Sequence, residues 1–94
     1  DEILEMGETS EIEFKETLRF DVKKNAVSKD IERAVLKTIA GFLNSKGGTL
    51  LIGVDDVGYI EGLSRDFSTL KKPNKDGFQN YLIKHLQSLL QFLL

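Results

Sequence analysis

Lys29, Arg33 and Lys37 recur at four-residue steps, so a helix carrying them presents three cations on one face. Such a stripe binds phosphate by charge and counterion release, whatever base stands behind it. Arg33 adds a planar fork that can give two hydrogen bonds to one phosphate. Lys23, Lys24 and Lys46 lie in the flanking segments and can extend the stripe, which would otherwise be an ordinary solvated helix face. A second feature is Asp55-Asp56 at the carboxyl end of an apolar run, either a pair of working carboxylates or a turn rich in Asp and Gly. Phe20 and Tyr59 are possible stacking platforms for single strands, or packing residues. His85 stands alone, with no second His or Cys to share a metal, and nothing matches a nucleophilic triad.

These side chains need a frame. Ser28 can cap a helix running to Asn44-Ser45, with Asp30 and Glu32 favourable in its first turn. Ile31, Val35, Ile39 and Phe42 mark its buried side. Gly47-Gly48 closes the helix, and Gly48–Val54 reads as a strand buried on both faces, with Gly53 admitting another backbone or a ligand. Asp55-Asp56-Val57-Gly58 turns the chain, and Tyr59–Leu63 returns as a shorter antiparallel strand. Upstream, Ile3–Met6 reads as a helical turn ending at Gly7. Thr9–Lys15 alternates as a half-buried strand, with Ile12 and Phe14 on one side and Glu11, Glu13 and Lys15 on the other. Residues 16–28 read as a mobile basic loop and residues 64–76 as a polar one. Asp76 can cap a last helix from about Gly77. Its apolar tail, with Leu86, Leu89, Leu90 and Leu93, calls for a covering surface: a second copy or a following domain.

Ninety-four residues make one small domain, residues 1–94. A net charge of −2 conceals segregation, because residues 15–46 hold eight bases against four acids. The acidic total therefore does not exclude a polyanion partner. The chain has no cysteine, no run of membrane-spanning length and no leader pattern, which fits a cytoplasmic protein.

Two motifs stand in order. Glu8-Thr9-Ser10-Glu11-Ile12-Glu13-Phe14-Lys15 comes first. Ile39-Ala40-Gly41-Phe42-Leu43-Asn44 follows, running into Gly47-Gly48, Gly53-Val54-Asp55-Asp56 and Gly58-Tyr59-Ile60-Glu61-Gly62-Leu63. Together they resemble the AlbA-like domain of the Schlafen family, found also in proteins described as divergent AAA-type or helicase-related transcriptional regulators. The resemblance implies a small α+β domain that binds nucleic acid, DNA ahead of RNA. The expected architecture is a mixed or antiparallel sheet packed on the Ser28–Asn44 helix, with a C-terminal helix. In the family the fold continues with further strands, so the chain reads as cut short at Leu94.

Animal relatives use the fold as an endoribonuclease. Carried over by motif, their acidic triad falls on Glu8, Glu13 and Asp56, with Asp56 preferred to Asp55. Converging carboxylates would need a hard cation, Mg²⁺ or Mn²⁺, to offset their repulsion, and that ion could activate water at a phosphate. Solvated or salt-bridged acids are the alternative for these positions, and a protein-interaction module is the alternative for the chain. Binding alone would require no cofactor. The AAA-type likeness also raises ATP binding. Against it, Ser45-Lys46-Gly47-Gly48-Thr49 follows a helix and precedes a strand, the reverse of a phosphate-binding loop.

Overall fold

The computed structural model describes the backbone of residues 2–93 and the side chains of residues 2–88. In chain order the elements are α1 (Glu2–Met6), β1 (Ile12–Lys15), β2 (Phe20–Asp21), β3 (Ala26–Val27), α2 (Lys29–Leu43), β4 (Thr49–Ile52), α3 (Ser64–Phe67) and α4 (Lys75–Leu93). The chain is α+β, with strands of both directions. β1 pairs with β4 in parallel, from Ile12 opposite Thr49 to Lys15 opposite Ile52, while β2 and β3 form a separate antiparallel pair. The parallel pairing needs a long crossover, and the β2–β3 hairpin followed by α2 supplies it.

Helix α2 begins where its cap dictates. Ser28 is extended (φ −128°, ψ 120°) and its Oγ accepts the Ile31 N–H at 3.3 Å. The helix closes at Asn44, whose N–H donates to the Ala40 carbonyl. Gly47, at φ 93°, then donates to the Phe42 carbonyl at 3.0 Å. Val35 is fully buried and meets Leu18 and Phe78 in the core, with Ile39, Leu50, Ile52, Phe67 and Leu82 packed around them. Removing that apolar area from water is what holds α2, β4 and α4 together.

Several expected elements differ. Residues 9–11 form a turn, with the Thr9 N–H donating to the Ile12 carbonyl, so the first strand starts at Ile12. The basic loop at 16–28 contains the hairpin, which pairs Phe20 with Val27 and Asp21 with Ala26 and turns through Asn25 at φ 52°. β4 is half-buried, because among the described residues its sheet has two strands and too little cover for a central strand. Tyr59–Leu63 is no strand; it makes a single bridge, Val54 with Ile60. Here the Glu61 and Gly62 N–H groups both donate to the Gly53 carbonyl, at 2.7 and 3.0 Å. A Cβ on Gly53, at φ 90°, would stand 2.8 Å from the Gly62 carbonyl oxygen. The close backbone approach expected of Gly53 is made by this loop.

The polar stretch 64–76 holds α3 and the most buried acid among the described residues. Asp66 is 1 % exposed, and its carboxylate accepts the Leu18 N–H at 2.7 Å and the Arg19 N–H at 3.1 Å. α4 is capped by Asn74 in place of Asp76: the Asn74 Oδ1 accepts from the Gly77 N–H at 2.9 Å. Leu86 is half-buried; the side chains of Leu89, Leu90 and Leu93 lie outside the described residues. No described helix is long and apolar enough to cross a membrane.

Candidate nucleic-acid interface

The burial of Val35 on one side of α2 turns Lys29, Arg33 and Lys37 outward, and all three are exposed. Arg33 Nη1 lies 3.5 Å from Asp30 Oδ1, with 76 % and 92 % of those side chains exposed. So exposed a pair is worth under about 1 kcal/mol and leaves the guanidinium available. Lys23 and Lys24 sit on the hairpin turn, where the Lys24 N–H donates to Asp21 Oδ1 at 3.0 Å. The hairpin is tied to the start of α2 by the Ser28 N–H, which donates to the Arg19 carbonyl at 2.7 Å. Lys46 follows the other end of the helix, about 22 Å away at 1.5 Å per residue. Among the described residues, Lys23, Lys24, Lys29, Lys37 and Lys46 make no ion pair. Phe20 is half-buried and lines a cleft of about 300 Å³ between hairpin and helix, beside Lys23, Ile31 and Ala34. Tyr59 is 66 % exposed on the 55–59 turn.

The acidic positions are not gathered. Glu8 Oε1 accepts the Phe14 N–H at 2.9 Å, and Glu13 Oε1 lies 3.5 Å from Lys15 Nζ. Asp56 is exposed, while Asp55 Oδ1 closes its own turn by accepting from the Val57 and Tyr59 N–H groups, both at 3.0 Å. Among the described residues no group of three or more His, Asp or Glu side chains could share a metal ion. Glu8, Glu13 and Asp56 therefore do not fit Mg²⁺ or Mn²⁺ as they stand.

A second charged constellation escaped the sequence reading. Glu32, on the flank of α2, accepts a hydrogen bond from the Tyr81 hydroxyl at 2.5 Å. It also faces Arg19 Nε at 3.9 Å and His85 Nε2 at 3.5 Å. The Arg19 guanidinium lies over the Tyr81 ring, 4.7 Å from its centroid, and the His85 ring stacks on Tyr81 at 4.1 Å. His85 Nδ1 lies 2.9 Å from the Tyr81 carbonyl oxygen. Burial, then the hydrogen bond to Glu32 and its charge, push the Tyr81 hydroxyl up to about 12, against a smaller opposing effect of Arg19. His85, without a second His or Cys to share a metal, has its partners in Glu32 and Tyr81. The four-residue step from Tyr81 to His85 was the available signal; Glu32 and Arg19 are too far away in sequence to be linked to it by spacing.

The glycine turns, the Glu8-to-Lys15 segment and the capped central helix come together around the parallel pair. The family model described as Schlafen, AlbA_2 matches residues 8–91, nearly the whole chain. No curated protein and no solved structure matches it. Membership of this family points to a nucleic-acid-related domain. By this match the chain belongs to the Schlafen AlbA_2 family.

Proposed function

We propose that the chain binds nucleic acid, DNA ahead of RNA, through the outward face of α2, as the binding part of a larger transcriptional regulator or helicase-related protein. The observation that carries this is the state of the cations: Lys29 and Lys37, with Lys23, Lys24 and Lys46 on the flanks, are exposed and without ion pairs among the described residues. Free ammonium groups along one helix and its two ends suit a backbone of regularly spaced phosphates, which are recognised by charge. Phe20 in the cleft beside Lys23 adds an apolar face for an unpaired base. Family membership supports the same reading. The contact needs no cofactor.

Fluorescence anisotropy with short labelled duplex DNA, single-stranded DNA and RNA, titrated with salt, tests the proposal. Engagement of four or five cations gives a slope of log K against log salt of about −4 on duplex. EDTA should leave the isotherm unchanged. Absence of binding at low salt overturns the reading.

A further inference from the structure

A cavity of about 470 Å³ opens on the other side of Arg19, between the β1–β2 connection, residues 69–72 and the first turns of α4. Its wall carries four cations, Arg19, Lys71, Lys72 and Lys84, and no acid. We propose that this cavity binds a phosphomonoester on a nucleotide-sized ligand, either a free mononucleotide or the phosphorylated end of a strand. In its second form the proposal rests on the nucleic-acid reading above; in its first it stands alone.

The charge argues for a monoester. A phosphate ester of this kind carries about −1.5 to −2 near neutral pH, against the single charge of a backbone diester. Four cations lining one hollow match that concentrated charge better than a line of cations along a helix does. The volume falls in the roughly 300–1,000 Å³ range of small-molecule clefts, so the ligand extends past its phosphate.

Arg19 is set for this before any ligand arrives. Its N–H is held by Asp66 Oδ1 at 3.1 Å and its guanidinium by the Tyr81 ring at 4.7 Å. Its Nε is buried with no hydrogen-bond partner, and Glu32 faces it at 3.9 Å from outside the cavity lining. A fixed donor loses little freedom on binding. Lys72 is lightly engaged, 3.9 Å from Asp76 with both side chains more than half exposed. Lys71 and Lys84 are exposed and make no ion pair among the described residues. Gly77 keeps the wall tight, because a Cβ there would overlap the Lys72 carbonyl. Asn80, on the same wall, adds an amide that can donate to a ligand oxygen. The Tyr81 ring already packs with Arg19 and His85, so recognition is of the phosphate and not of a stacked base.

The 94-residue chain is titrated with AMP and with adenosine, and with a short oligothymidylate carrying a terminal phosphate or a terminal hydroxyl. Calorimetry gives the affinities, and backbone amide NMR shifts locate the contact. The expected result is a preference of about tenfold or more for a phosphorylated probe over its partner, equivalent to about 1.4 kcal/mol. Shifts should centre on Gly77, Asn80 and Lys84, and Lys71→Gln/Lys84→Gln should abolish the preference. AMP binding identifies the free nucleotide as the source; a preference confined to the oligonucleotide identifies the strand end. Lys29→Gln/Lys37→Gln should weaken strand binding and leave the preference intact, so the two proposals fail separately. Equal binding of phosphorylated and unphosphorylated probes, or a preference that survives Lys71→Gln/Lys84→Gln in a folded protein, overturns the assignment.

Discussion

Lys29 and Lys37 project from α2 with no ion pair among the described residues, whereas Arg19 is held through its backbone by Asp66 and through its side chain by Tyr81 and Glu32. Both surfaces are cationic, and they differ in what they can distinguish. Long, unrestrained ammonium groups follow charge and tolerate many geometries, which suits a repeating backbone. A guanidinium locked over a ring presents its donors from one direction, which suits a single anion in one place. The lesson is that counting basic residues does not separate the two uses. What each cation leans on does.

The most damaging way to break this contrast is Asp66→Ala. It strands the N–H groups of Leu18 and Arg19, both satisfied by one carboxylate. The expected loss is about 3–5 kcal/mol in urea unfolding. A loss below about 1 kcal/mol would mean that Arg19 is not anchored from below. Next is Tyr81→Phe, which keeps the ring under Arg19 and removes the hydrogen bond to Glu32, with an expected cost of about 1–2 kcal/mol. It has a pH signature. The Tyr81 hydroxyl is raised from 10.0 to about 12 in the folded chain, so its contribution is full below pH 10 and lost as pH rises towards 12. The stability gap between the two proteins should therefore close over that interval.

Lys29→Gln/Lys37→Gln sharpens the other side. Strand binding should fall about five- to tenfold at low salt, and the salt slope should flatten by about 2. Stability should move by no more than about 0.5 kcal/mol, since neither side chain is packed. The smallest effect is expected of Asp30→Asn, which frees Arg33 from an exposed ion pair. Binding should tighten about twofold at low salt and return to the parent value in high salt.

The sequence was most readable where a signal was local. α2 falls within one residue of the expected bounds because Ser28 caps it and Ile31, Val35 and Ile39 repeat at its period. The basic face follows from the same period. The hairpin in the 16–28 segment, read as a mobile loop, was not legible, because two residue pairs with exposed Val27 carry no alternation to detect. The return strand at 59–63 misled because Tyr59-Ile60 looks β-prone; Gly58 and Gly62, at φ 87° and 81°, curl the chain onto Gly53 instead. Asp66 and Glu32 were opaque for another reason. Asp66 finds its partners 47 and 48 residues away, and Glu32 meets Tyr81 49 residues away. Only the fold brings them together.

The parallel pairing of β1 with β4 has a consequence for how the molecule forms. Parallel neighbours cannot zip outward from a tight turn, so the hairpin and α2 must be traversed before the first rung of that ladder gives any return. The α2 helix needs only its own residues to begin. The local contacts of the hairpin and α2 are therefore available early in folding, whereas the Asp66 anchor under Arg19, made across 47 and 48 residues, must wait for the chain to close on itself.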